Sequence, residues 1–278
     1  MEICPMQDAY SLPWKLEDID FTRFDAEKAR ADEDLIYLIC ASSFIESGSD
    51  LYTKNLVEHY QGDEAVQTWL RDHWEHEELQ HGRALATYVR HAWPDFDWDS
   101  AFADFFAEYG AVCTSEELES RRGLELAARC VVETGTASLY RAIHTQTEEP
   151  VLKQLTEYIK SDEVRHYSHF YKYFREYEAR ERNGRWRVMR ALYRRLMEIR
   201  NEDGDIALRH VFAYRRPEVN DDPAAFKAAS ERVYGLVRKH LPAEMTVKML
   251  LKPLNLPPRL NASLQTPLTR LTERFVLH

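Results

Sequence analysis

Two glutamates in this chain are each followed three residues later by a histidine, in Glu78-Leu-Gln-His81 and Glu163-Val-Arg-His166. Residues three apart share one face of a helix, so each pair can offer an oxygen and a nitrogen donor to a single cation. Both pairs interrupt apolar seams: Leu70, Trp74, Leu85 and Tyr88 frame the first, and Leu155, Ile159, Phe170 and Tyr173 frame the second. Glu46 and Glu133 fall on two further seams, the former in line with Leu35, Ile39, Ser42 and Leu56, the latter with Leu126, Cys130, Ala137 and Tyr140. An unpaired buried carboxylate costs several kcal/mol, so four facing inward demand cations between them. Four carboxylates and two neutral imidazoles carry four negative charges, the complement of two divalent metal ions. Neighbouring decoys are Glu75, Glu77, His73 and His76 beside the first pair and Glu58 on the helix of Glu46; the seams favour Glu78, His81 and Glu46.

Four long helices must position these residues. Hydrophobic periodicity predicts the first over 32–60, opening on Asp32-Glu33-Asp34, whose charges suit a helix N-terminus. A turn at Gln61-Gly62-Asp63 leads to a second that ends before Pro94, a third spans 115–147 with an N-cap in Thr-Ser-Glu-Glu, and a fourth spans 150–182. The aromatic stretch WPDFDWDSAFADFFAEY lies in the long connection between the second and third helices, where it reads as a crossover covering a core or, alternatively, lining a substrate channel. Short turn, long crossover, short turn predicts an all-α fold, a four-helix bundle over 32–183, preceded by an N-terminal arm (1–31) and followed by a C-terminal helical extension packed on the bundle (184–278). In the extension, a turn near Asp203-Gly204, a helix over 224–240 and the proline-broken KPLNLPPRL are expected, with Val188, Leu192, Leu196 and Ile199 turned inward from 179–200.

Composition removes several classes of function. Cys4, Cys40, Cys113 and Cys130 form no CxxC pair, so neither a zinc knuckle nor a rubredoxin-type iron centre is predicted. Nine glycines, with no GxGxxG or Walker sequence, speak against nucleotide loops. No apolar run long enough for a membrane helix and no export signal stand in the sequence, so a reduced cytoplasmic protein is expected. The net charge of -10 conceals a division: residues 1–120 hold 27 acids and 8 bases, net -19, and the remainder is net +9. Such an acidic half is a poor nucleic-acid surface.

At HEELQHG, VVETGT and SDEVRHY the first 180 residues resemble the ferritin-like di-iron carboxylate superfamily. Asp-Glu-x-Arg-His at 162–166 and Glu-Glu-x-x-His-Gly at 77–82 are most similar to the soluble acyl-carrier-protein desaturases, while the spacings from Glu46 to Glu78 (32), Glu78 to Glu133 (55) and Glu133 to Glu163 (30) also suit aldehyde-deformylating oxygenases. The resemblance implies two irons held by Glu46, Glu78, His81, Glu133, Glu163 and His166, bridged by carboxylates of the Glu78 or Glu133 type, and dioxygen activation with an external electron donor. Ligand type alone leaves manganese open beside iron. The chain departs from relatives: Leu85 stands where radical-forming reductase subunits carry a tyrosine, Ile159 where arylamine N-oxygenases add a histidine, and the cysteine pairs of rubrerythrins are lacking.

From this resemblance a dioxygen-dependent di-iron oxidase or oxygenase is expected, a homodimer that desaturates or hydroxylates a small apolar substrate, an acyl chain among the candidates. The alternatives are an arylamine-type N-oxygenase, an aldehyde-deformylating oxygenase, a dimanganese catalase, or a non-enzymatic ferritin-like iron-binding protein. Asp162 and Glu77 either accept the outer N–H groups of the histidines across the bundle or are plain surface charge. Thr136, one turn beyond Glu133, either assists proton delivery, as the desaturase resemblance implies, or bonds back to its own helix. Eight arginines over 179–200 either receive an acyl carrier protein or pair with the acidic half.

Overall fold

A computed structural model of the chain describes residues 11–201 and 203–276. Among these the regular structure is entirely helical. After a single turn, α1 (Ala26–Ala29), capped by the Asp25 carboxylate, comes α2 (Leu35–Ser47), eleven of whose thirteen residues are buried. A helix apolar on every side belongs inside a core. The continuous helix expected over 32–60 divides at Gly48, whose N–H bonds back to both Phe44 and Ile45 carbonyls, and α3 (Ser49–His59) follows. Ser-Gly-Ser has too little helix propensity to carry the helix across.

The second segment is α4 (Glu64–Trp69), capped by Asp63, then a π-helical turn (Leu70–Trp74), then α5 (Glu75–Ala92). The π turn widens the coil just before the Glu78 pair, a feature that a 3.6-residue reading passes over. The connection that follows holds a helix of its own, α6 (Trp98–Val112), with Trp98, Ala101, Phe105 and Tyr109 buried and Trp98 Nε1 donating to Ser43 on α2. The third expected helix starts seven residues late: Ser115–Glu117 forms a short 3-10 turn with no side-chain cap, and α7 runs Arg122–Gln146. Glu149 caps α8 (Pro150–Glu181), which begins on its proline and ends as Arg182 and Gly184 take positive φ.

Beyond lie α9 (Arg185–Asn201), α10 (Asp203–Arg215), α11 (Pro223–His240), α12 (Ala243–Leu251) and α13 (Pro258–Val276). The turn expected near Asp203-Gly204 falls at the junction of α9 and α10, where residue 202 lies outside the described residues, and α13 grows from the proline-broken stretch because Pro258 stands at its first position, where a proline costs no hydrogen bond. In α9 the inward face carries Val188, Ala191, Leu192 and Arg195, whereas Leu196 is exposed, contrary to expectation; the Ile199 side chain and Cys4 lie outside the described residues. The helix is rotated because Arg195 turns in toward buried Glu125.

Helix α7 lies along α8 and α2 along α5, with α5 also touching α8; α10 covers α2 and α6, while α9, α11 and α12 pack on α7. Arginines of the basic half meet acids of the first half at Arg232–Asp34, Arg209–Glu108, Arg215–Asp95 and Arg194–Glu119. The buried apolar residues separate into two clusters, one around Phe44, Leu85, Tyr140 and Ile159, the other around Leu56, Trp74, Cys130 and Phe170. Helices α7 and α8 each pass through both clusters, as does the segment made of α4, the π turn and α5 together, and in each the seam glutamate falls between them. No helix among the described residues is long and apolar enough to cross a membrane.

Candidate metal centre

Glu46, Glu78, His81, Glu133, Glu163 and His166 meet in the layer between the two apolar clusters, none more than 7% exposed. They form two overlapping groups, Glu46-Glu78-His81-Glu163 and Glu78-Glu133-Glu163-His166, in each of which the donor atoms lie within 4.8 Å of one another. Glu78 and Glu163 belong to both. Glu133, which the resemblance offered as a bridging type, belongs to one group only, and Glu163 takes the shared place beside Glu78. His81 Nδ1 is 3.3 Å from Glu163 Oε1 and 3.7 Å from Glu46 Oε2; His166 Nδ1 is 3.0 Å from Glu78 and 3.6 Å from Glu133. The decoys stand apart: Glu58 and His76 are exposed, and Glu75 and His73 half-buried, outside both groups.

Each histidine is held from behind. His81 Nε2 lies 2.9 Å from Asp162, and His166 Nε2 lies 2.8 Å from Glu77. Asp162 also accepts from Trp14 Nε1 (2.7 Å) and, on its other oxygen, from Arg165, which in turn donates to Glu77. Although burial opposes ionisation of Asp162, its bonds to His81 and Trp14 keep its pKa below the ordinary value. An ionised carboxylate has no proton to give, so Nε2 of His81 is the donor and Nδ1 faces the glutamates.

The fit to cations rests on what remains unsatisfied. Among the described residues, His81 Nδ1, His166 Nδ1 and Glu163 Oε1 are buried without a hydrogen-bond partner, and all three point into the layer. Buried polar atoms are rarely left so, and a metal ion is the partner their chemistry suits. The electrostatics of the metal-free chain agree. Burial disfavours protonation of both imidazoles, yet the surrounding carboxylates raise both well above the usual value. Burial, together with the charges of Glu163 and Glu46, pushes Glu78 well above the carboxylate range. Glu163 is pushed up to about 7, by burial first and by its acidic neighbours Glu46 and Glu133. Protons thus take up the excess negative charge that two cations would neutralise.

Thr136 donates to Glu163 Oε2 at 2.5 Å, a shorter contact than its 3.3 Å approaches to the carbonyls of Val132 and Glu133. Four other residues at the site received no role from sequence reasoning. Tyr140 donates a short hydrogen bond to Glu46, and Arg129 donates to Glu133 at 3.0 Å. Both carried a local signal, since they lie seven residues after and four before Glu133 on its own helix. Arg165, between Glu163 and His166, joins Asp162 to Glu77. Trp14, stacked on Tyr158 and joined to α5 through Gln80, carried no signal, because nothing in its neighbourhood in sequence points to Asp162.

Helix packing sets the closeness of the two halves. At Gly82, one residue past His81, an added Cβ would lie 2.5 Å from Ser47 Oγ and 2.6 Å from Ser47 N, so α2 can bring Glu46 against α5 only because residue 82 has no side chain. No protein-family model matches the chain, and no curated protein matches it. Its functional reading therefore rests on this geometry.

Proposed function

We propose that α2, α5, α7 and α8 constitute a ferritin-like four-helix bundle that holds two metal ions, iron in the first instance, and acts as a dioxygen-dependent oxidase or oxygenase. The observation that carries this reading is the pair of overlapping groups sharing Glu78 and Glu163, each made of three carboxylates and one histidine with its Nδ1 unpartnered. Glu46 and His81 would hold one ion, Glu133 and His166 the other, and Glu78 and Glu163 would serve both. Bound iron would supply the electrons that reduce dioxygen; carboxylate and imidazole donors suit iron, and they suit manganese as well.

The chain's own residues do the rest. Asp162 and Glu77 keep both imidazoles in the tautomer that presents Nδ1, and Arg165 ties these two acids together. Tyr140 and Thr136 hold Glu46 and Glu163 by their carboxylate oxygens. The Thr136 hydroxyl also lines the cavity beside the glutamates, so it can pass a proton between Glu163 and a molecule bound there. The two apolar clusters close the layer above and below and leave the cavity beside the glutamates as the approach to it.

Anaerobic loading with ferrous ion, followed by elemental analysis and then by exposure to dioxygen, tests the reading. Uptake that stops near two irons per chain, with dioxygen consumed, is the expected result. A chain that takes up no iron, or that goes on to accumulate hundreds of irons per assembly as a storage protein does, sinks the proposal.

A further inference from the structure

The space beside the glutamate layer has an acidic wall and a cationic one. A cavity of about 90 Å³ touches all four glutamates of the layer and is closed on other sides by Ile45, Val132, Tyr52 and Arg129. Past Tyr52, Tyr109 and Arg195 it meets a second space of about 290 Å³ that reaches exposed Val112. Both volumes fall at or below the lower end of the roughly 300–1,000 Å³ of small-molecule clefts, and the inner one has room for only a few water-sized groups. A long acyl chain does not fit there.

The two arginines differ in how their charge is met. Arg195 has acids of its own: both carboxylate oxygens of Glu125 lie 3.3 Å from its Nη2, and Glu198, which lines the same cavity, lies 3.4 Å from its Nε. Among the described residues Arg129, 5% exposed, has one acid within salt-bridge distance, Glu133, which is also a member of the candidate metal centre. Its guanidinium lies 4.6 Å from the Tyr52 ring and 5.1 Å from that of Trp74, and its Nε–H is buried without a hydrogen-bond partner. Once two divalent ions neutralise the four glutamates and engage Glu133, Arg129 is a buried cation on the cavity wall with no carboxylate of its own within pairing distance among the described residues. A buried cation calls for a counter-charge, and a guanidinium matches a carboxylate in both charge and geometry.

We infer that the substrate is a small carboxylate, its anionic group paired with Arg129 and its neighbouring carbons lying along Ile45 and Val132 beside the glutamate layer. The inference rests on the two-metal reading, because without cations the four glutamates repel an anion from the same cavity.

The test uses the full chain loaded with two zinc ions, which are redox-inert, and calorimetric titration with butyrate and benzoate against butyramide and benzamide. Each carboxylate is expected to bind at least about tenfold more tightly than its amide, as a charge-assisted hydrogen bond allows. That preference is expected to fall about tenfold in Arg129→Gln and less in Arg129→Lys, which keeps the charge and loses the fork. Equal binding of acid and amide to the wild-type chain overturns the inference. Full selectivity in a zinc-loaded Arg129→Gln variant also overturns it, because the metals alone then hold the anion. If Arg129→Gln loses its zinc, Arg129→Lys decides: carboxylate affinity lowered about threefold or more supports the pairing, and unchanged affinity overturns it. Elemental analysis before titration separates the two ideas, since a wild-type chain without bound metal sinks both, whereas metal uptake without selectivity sinks the inference alone.

Discussion

Two clusters of buried charge meet at one cavity and are built on opposite terms. In the first, Glu125 is fully buried, but Arg195 donates to it, the backbone N–H of Glu119 donates to it, and Arg195 is further engaged by Tyr52. Acid and base are matched inside the protein. In the second, Glu46, Glu78, Glu133 and Glu163 surround two histidines, and among the described residues Arg129 is the one guanidinium bonded directly to the four and three inward atoms lack a hydrogen-bond partner. Burial is the same in both, so burial does not mark the site. The deficit of positive charge does, together with donor atoms aimed at a common point.

The largest effect that tests this contrast is at Glu163. Because it belongs to both groups, Glu163→Ala is expected to lose both metal ions, whereas His166→Ala is expected to lose one; elemental analysis that finds two ions per chain in both variants removes the site assignment. Next is the matched cluster. Arg195→Gln leaves Glu125 as an uncompensated buried charge and is expected to cost about 3–5 kcal/mol in denaturant unfolding, whereas Glu125→Gln with Arg195→Gln is expected to fall within roughly 1–2 kcal/mol of the wild type. Equal losses in the single and double variants would mean that the pair is not matched as the structure shows.

Gly82→Ala probes the spacing between α2 and α5. The new methyl meets Ser47 backbone at 2.6–2.8 Å, so a destabilisation of about 1–3 kcal/mol and weaker loading through Glu46 are expected. Unchanged melting temperature and metal content would show that the helices can part freely. Asp162→Asn keeps the size of the side chain but not its charge behind His81, and metal affinity is expected to fall roughly 10- to 100-fold in a competition titration with a chelator. The smallest change is a control at the surface: Asp34→Asn breaks the pair with Arg232, more than half of which is exposed, and is expected to cost about 0.2–1 kcal/mol. A larger loss there would undo the division between solvated and buried charge.

Much of the centre was legible because its residues obey helical spacing. Glu78 with His81 and Glu163 with His166 are one turn apart, and their seams are apolar on either side, so the inward direction of all four follows from the period of the helix. Where spacing misled, a local break intervened. Gly48 divides what reads as one helix, the π turn at Leu70–Trp74 widens another, and Leu196 is exposed because Arg195, one residue earlier, turns in to meet Glu125. Trp14 was beyond reach, since its partner Asp162 is 148 residues away.

The amino-acid order by itself determined the helical character of the described residues, the six candidate donors and their charge excess, because each depends on a period of three or four residues within one helix. Only the tertiary structure decided that Glu78 and Glu163 are the shared carboxylates, that Arg129 stands on the cavity wall, and that Arg195 is neutralised by Glu125. Those are distances between helices remote in sequence, set by how closely α2 approaches α5 at Gly82 and by how α9 rolls on α7. A change of about one ångström in such a distance makes or breaks a hydrogen bond, and no spacing rule along a single helix carries that information.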